Sequence, residues 1–219
     1  MSDPEGIVRF FTVDDRKDDD LPPSWNVAPT DPVYAVAEHD QRRALVTFRW
    51  GLVPSFAKDR KQAAARINAR IETAADKPAF RNGLARRRCL IPADGFYEWT
   101  AAPDGGRQPH FIHHAGGLPL AFAGLWEVWR DPSDPESDLV RTCTILTTEA
   151  EGSVRELHDR MPVAVDPDGF DDWLDRELTD AAEALARLEH LDPELLVHHP
   201  VARTVNDVRN DGPELLRPA

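Results

Sequence analysis

Hydrophobic residues in this chain gather in short runs separated by turn formers, not in long helical stripes. Val33 to Glu38 and Ala44 to Trp50 are rich in β-branched and aromatic residues and predict two strands, closed off by Gly51-Leu52-Val53-Pro54. Cys89 to Trp99 and Gln108 to His113 flank Asp104-Gly105-Gly106 and predict a hairpin with a long loop. Leu118 to Trp129 and Val140 to Leu146 predict another strand pair around the polar loop at Asp131 to Asp138, with shorter strands at Arg66 to Glu72, Met161 to Val165 and Leu195 to His199. Helical signals are fewer. Ser2 to Glu5 ahead of Ile7, Val8, Phe10 and Phe11 reads as a capped helix start, with Pro4 near its first position. Phe80 and Leu84, four apart, place a helix over Lys77 to Arg87, and others are expected before His158, near Pro167 to Asp175 and over Thr179 to His190. Asp14 to Asp20 reads as a solvated loop and the proline-rich stretch Leu21 to Pro29 as extended chain. Many strands at short spacing with interspersed helices predict an α+β fold, a single domain over residues 1–219 around an antiparallel, barrel-like β-sheet flanked by short helices.

Composition narrows the classes of function. No apolar run approaches the roughly 18 residues that cross a bilayer, and the first thirty residues are rich in acids, so a soluble cytoplasmic monomer without a membrane partner is expected. The only cysteines are Cys89 and Cys143, with no CxxC, which excludes a disulfide scaffold and a four-thiolate zinc site and predicts two buried thiols. A formal charge of −13 excludes a protein that coats nucleic acid through net charge. That average hides a segregation. Arg42 to Arg88 holds thirteen basic residues against three acidic ones, a local +10 that leaves −23 for the remainder. Such asymmetry suits polyanion binding by one face, or a set of arginines bridged to the acidic remainder.

No GxGxxG, P-loop, HExxH or GxSxG is present, so no cofactor is expected and the chemistry rests on individual polar residues. Glu98, inside Phe96-Tyr97-Glu98-Trp99, either faces solvent by strand alternation or is a desolvated carboxyl suited to proton transfer. His158 in His158-Asp159-Arg160-Met161-Pro162 is either a helix-terminal cap or a neutral-pH proton donor with Arg160 beside it for phosphate. Asn68 and Arg70 alternate on one face of a short strand within the basic segment, where they could orient a polar ligand or simply face water. Phe56, in a loop beside Lys58, could wedge against a nucleobase or cap the core. Strand alternation places His110 and His114 on one face and His113 on the other without a completing carboxylate or thiolate, so no metal is expected.

These segments together resemble the SRAP family, the SOS response-associated peptidases or abasic-site processing proteins. The matching stretches run in order: Trp25-Asn26-Val27-Ala28-Pro29, Trp50-Gly51-Leu52-Val53-Pro54, Ile67-Asn68-Ala69-Arg70-Ile71-Glu72-Thr73, Ala93-Asp94-Gly95-Phe96-Tyr97-Glu98-Trp99, Ile145-Leu146-Thr147-Thr148, His158-Asp159-Arg160-Met161-Pro162, His199-Pro200-Val201 and Val208-Arg209-Asn210. The resemblance implies a cytoplasmic, nucleoid-associated DNA-damage-response protein whose partner is single-stranded DNA containing abasic sites. It also implies a covalent thiazolidine between an N-terminal cysteine and the ring-opened sugar aldehyde. Carried over by resemblance, Glu98 assists at the amine and the sugar, His158 protonates the ring oxygen and Asn68 positions the N-terminal group. Asn26, Arg70, Thr147 and Arg160 hold the DNA, and Phe56 takes a wedge position, with Ala57 where a second aromatic can stand.

The chain departs from the family at its start, reading Met1-Ser2-Asp3-Pro4-Glu5 where members read Met-Cys-Gly-Arg. Either Gly6 to Phe10 replaces the opening strand, with Ile7 at the cysteine position, or Asp3 to Phe11 is the helix that follows it. The cap signals favour the helix. They carry the expectation that a first strand of about 6 to 10 residues, and with it the nucleophile, is missing. Three readings follow: a DNA-protein cross-linking enzyme, a non-catalytic binder of single-stranded or abasic DNA, and a peptidase.

Overall fold

The computed structural model describes residues 3–61 and 63–219. Helix α1 (Pro4–Phe10) begins where the Asp3 carboxylate accepts the Gly6 N–H at 3.2 Å, with Pro4 at a position whose amide would have no helical partner anyway. Ile7 and Phe11 are fully buried, and Phe11 stacks on Phe170 with ring centroids 5.2 Å apart. The helical register is therefore the one adopted. Ser2, part of the expected cap, lies outside the described residues.

The strands in chain order are β1 (Asp15–Arg16), β2 (Pro32–His39), β3 (Arg42–Trp50), β4 (Asn68–Arg70), β5 (Arg88–Ala93), β6 (Gly95–Ala101), β7 (Arg107–His114), β8 (Leu120–Trp129), β9 (Val140–Glu149), β10 (Arg160–Pro162) and β11 (Leu196–Pro200). Within the larger, eight-stranded sheet, β3, β2, β5, β8 and β9 are hydrogen-bonded in that order. The ring closes through Arg49 opposite Thr142 and Trp50 opposite Cys143. The four steps from β3 to β9 are all antiparallel, so β9 arrives running in the same direction as β3 and the closing pair is parallel. An odd number of strands in a ring forces this. The sheet is accordingly mixed, not antiparallel throughout, with β1–β3 and β4–β9 also parallel.

Alternate residues of the ring strands enter two apolar clusters. Tyr34, Val36, Leu45, Leu90, Ala123 and Leu125 face the layer supplied by α1, α3 (Pro78–Arg86) and α4 (Phe170–Leu174), whereas Val33, Ala35, Val46, Cys89, Ile91 and Cys143 face the opposite way. Burial on both faces explains why β2, β5 and β8 read as near-continuous apolar runs instead of clean alternation.

The run Cys89 to Trp99, expected as one strand, is two. It turns at Asp94, leaving the large sheet after β5 and entering a second sheet, ordered β11-β7-β6. Gly95 makes the turn possible: a Cβ there would stand 2.2 Å from the Ile112 carbonyl oxygen and 2.5 Å from the Phe111 ring. Gly51 plays a similar part at the end of β3, with φ +132° and a hypothetical Cβ 2.8 Å from the Ala63 carbonyl oxygen. Other expected elements are shorter than the periodicity implied. Thr179 to His190 holds only α5 (Ala181–Ala186), the segment before His158 is a 3-10 turn over Gly152–Glu156, and α2 (Ile71–Ala74) is a single turn after β4.

Part of the basic segment is architectural. Arg88 is buried and donates to the carbonyl oxygens of Leu84, Trp173 and Leu178 at 2.7–2.9 Å, and also to that of Asp175, tying α3 to the end of α4. Arg43 reaches the Phe11 carbonyl and Asp171, and Arg87 pairs with the buried Glu127. These three arginines are not a polyanion-binding face.

Candidate active site and nucleic-acid interface

The turn at Asp94 carries β6 away from the ring and opens a cleft of about 730 Å³ between the second sheet and the end of β9 with its neighbours β4 and β10. Trp25, Trp50, Phe96, Tyr97 and Trp99 supply apolar walls. Asn26, Asn68, Arg70, Glu98, Thr147, His158 and Arg160 all line it, so the fold brings together seven of the eight residues singled out from sequence. The eighth, Phe56, lies outside the lining. It is 67% exposed on a turn anchored by the Ala57 N–H to the Pro54 carbonyl at 2.9 Å and by the Trp129 indole N–H to the Ala57 carbonyl at 2.8 Å.

Glu98 and His158 meet in this cleft. Glu98 Oε1 stands 4.0 Å from His158 Nδ1, with the Glu98 side chain 22% exposed. Burial holds the Glu98 carboxyl above the usual carboxylate range, opposed by the nearby imidazole. Of the two readings that alternation left open, the geometry fits the desolvated one: the Glu98 side chain is largely covered, and Phe96, two residues before it on β6, packs against the core of the ring. His158 follows the 3-10 turn, its N–H donating to the Val154 carbonyl at 3.1 Å. Its Nδ1 lies 3.0 Å from both the main-chain nitrogen and the main-chain oxygen of Arg160.

Strand β4 displays Asn68 and Arg70 to solvent on either side of the buried Ala69, in register with Ile145 and Thr147 of β9. Neither side chain makes a hydrogen bond or ion pair among the described residues, which leaves one side-chain amide and one guanidinium lining the cleft. Arg160 is differently placed. Its guanidinium forms a two-pronged pair with Glu72, at 2.6 and 2.9 Å, and donates to the Thr147 carbonyl at 2.6 Å. Glu72, on α2, is held below the usual carboxylate range by this pairing. Thr147 is itself buried. The side-chain amide of Asn26 donates to the carbonyls of Val205, Asn210 and Asp207 at 3.0, 3.1 and 3.3 Å.

That last set of contacts exposes what sequence reasoning missed. The C-terminal segment 205–211 forms a wall of the cleft, pinned by Asn26, by Asp211 accepting the Trp25 and Asn26 main-chain N–H groups, and by the Trp99 indole N–H on Asn206 Oδ1 at 2.7 Å. The Tyr97 hydroxyl donates to the Trp25 carbonyl at 2.8 Å, and burial pushes its pKa up to about 12. The matched stretch Val208-Arg209-Asn210 was the available signal, but nothing local says that it touches Asn26. Glu72 was likewise visible only as one letter of a motif.

Both cysteines are buried, at 0% exposure on β5 and β9, and burial raises both thiols. His110 and His114 share one face of β7 and His113 the other, as alternation implied. Among the described residues no group of three or more His, Cys, Asp or Glu is arranged to hold a metal, and no helix is long and apolar enough to cross a membrane.

Comparison with known proteins follows the same lines. Residues 1–208 match the model of the family described as SOS response associated peptidase (SRAP). The abasic site processing protein YoqW of Bacillus subtilis (strain 168) is 36% identical over 217 residues, spanning 99% of this chain and 96% of YoqW. YoaM of the same organism, also named an abasic site processing protein, is 39% identical over 194 residues, covering 89% of this chain and 84% of YoaM. Among solved structures, a protein from Bordetella bronchiseptica superimposes with a TM-score of 0.75 at 26% identity, covering 92% of this chain and 97% of its own. The cleft where Glu98, His158, Asn68 and Arg70 converge therefore sits in a chain that belongs to the SRAP family.

Proposed function

We propose that this protein processes abasic sites in single-stranded DNA as part of a DNA-damage response, holding the lesion in the cleft between β6 and the β4–β9–β10 edge. The observation that carries the reading is the approach of Glu98 to His158, 4.0 Å apart, in the same cleft as the exposed Asn68 and Arg70. A carboxyl that burial holds above its usual range is better suited to taking up a proton and returning it than an ordinary surface carboxylate. An imidazole at the same point supplies the second proton carrier needed to open a sugar ring to its aldehyde. Arg70 meets the DNA backbone, Asn68 orients the attacking amine, and Thr147, Asn26 and Arg160 shape the walls that seat the strand. Phe56, on its anchored turn, stacks on a base outside the cleft.

The covalent step is condensation of a 1,2-aminothiol with the aldehyde. The amine adds and water leaves to give an imine, then the thiolate adds to the imine carbon and closes a thiazolidine. Cys89 and Cys143 do not fill this role, because each is buried, its thiol is disfavoured as thiolate, and neither has a free α-amine. The test compares this sequence with the same sequence preceded by Met-Cys-Gly-Arg, each incubated with single-stranded DNA containing one abasic site. The extended protein is expected to give a heat-stable adduct that is lost on Glu98→Ala, and the shorter one salt-sensitive binding without an adduct. Failure of both proteins to bind the DNA would overturn the reading. The burial of both thiols is also what a binding-only protein would have, and that second reading forecasts no adduct from either protein.

A further inference from the structure

The geometry points to Glu72 as a positioning residue for His158, acting through Arg160. This rests on the reading of His158 as a proton carrier. His158 Nδ1 lies 3.0 Å from the Arg160 N–H and 3.0 Å from the Arg160 carbonyl oxygen. A neutral imidazole protonated at Nε2 accepts from that N–H at Nδ1, whereas an imidazolium donates from Nδ1 to that carbonyl, with Glu98 Oε1 4.0 Å from the same nitrogen. The same main-chain unit therefore partners the ring in both states, and the ring need not turn when it gains or loses a proton. This holds only while the Arg160 backbone stays in place. β10 is three residues long, so the strand alone is a weak anchor. The Arg160 side chain supplies the rest: Glu72 grips it at two nitrogens, and the Thr147 carbonyl takes a third bond from it. Glu72 thus links α2, which directly follows the Asn68–Arg70 strand, to the element that carries His158.

The experiment is nitrogen-15 NMR of the histidine rings in the free protein, at a pH where the His158 signals no longer change on adding base, with thermal unfolding measured alongside. In the parent protein the neutral His158 ring is expected to be dominated by the form protonated at Nε2. Glu72→Ala should lower that preference by about fivefold, the scale of one net hydrogen bond. Glu72→Gln, which still offers Arg160 an acceptor, should recover most of it. Glu72 is half exposed, so both variants are expected to fold. An unchanged His158 tautomer in Glu72→Ala, whatever happens to the unfolding temperature, would overturn the inference, as would a loss in Glu72→Gln as large as in Glu72→Ala. The measurement uses no DNA. Failure of the parent to process abasic sites therefore bears on the functional reading alone, and the ring signals decide the role of Glu72 independently.

Discussion

Asn26 and Asn68 line the same cleft and are interchangeable in any list of polar residues, yet they belong to opposite walls with different physics. Asn26 has its amide directed at three carbonyls of the C-terminal segment, and the wall it builds is held by internal hydrogen bonds. Asn68 sits on β4, exposed and without a side-chain hydrogen bond among the described residues, next to Arg70 in the same condition. Polar groups already satisfied by the chain set shape, and polar groups left open are available to a ligand. The two arginines repeat the contrast: Arg160 is clamped by Glu72, whereas Arg70 makes no hydrogen bond or ion pair among the described residues. Glu98 and His158 lie between the walls, where the shape set by one meets the open groups of the other.

The contrast is broken most severely at its centre. In the protein extended with Met-Cys-Gly-Arg, Glu98→Gln is expected to slow adduct formation by about 10²–10⁴-fold, the usual range for a lost acid or base, in a time course on abasic single-stranded DNA. The same change carries a stability signature of known sign. Burial makes Glu98 release its proton at higher pH in the folded than in the unfolded chain, so its ionisation weakens folding as pH rises through that interval. Glu98→Gln should therefore raise the unfolding temperature more at pH 8 than at pH 4.

Next comes the internally bonded wall. Asn26→Ala removes the donor to three carbonyls and should cost about 1–3 kcal/mol in denaturant unfolding, whereas Asn68→Ala should stay within about 0.5 kcal/mol and lower adduct yield instead. Equal stability losses at the two sites would erase the distinction between the walls. A smaller effect is expected from Arg70→Ala, which should leave stability unchanged and reduce the slope of log affinity against log salt by about one. The smallest belongs to the Glu72–Arg160 pair, whose partly exposed setting limits it to about 1 kcal/mol or less. Its carboxyl titrates lower in the folded chain, so its contribution is present above the unfolded pKa and fades as pH falls through the folded one. Acid titration of Arg160→Met should lack that component.

How much of this was legible from the residues differs by element. The helix at Pro4, the helix over Pro78–Arg86 and the strands from Pro32 to Trp50 carry their signals locally, in caps, spacing and β-branched runs. The break at Asp94 does not, because a strand buried on both faces and a strand leaving for another sheet show the same apolar run. The parallel closure of the barrel was equally hidden, since it follows from the number of strands in the ring and not from any residue in them. Arg88 shows the limit for charge: thirteen basic residues in one segment fitted a polyanion surface and a set of bridged arginines equally, and at least four of them, Arg42, Arg43, Arg87 and Arg88, have carbonyls or carboxylates of the chain itself as partners.

The order of residue types along the chain was enough to indicate an α+β fold, a desolvated glutamate as one of two readings and, through the family resemblance, eight candidate residues, of which seven line one cleft. Tertiary structure alone decided which of those residues are open and which are already bonded. Whether a side chain is satisfied depends on groups brought close from distant parts of the chain, such as Asn26 with Asn210 or Arg160 with Glu72. Short-range pattern carries the preference of a segment for helix or strand, and it has no access to partners nearly two hundred residues away.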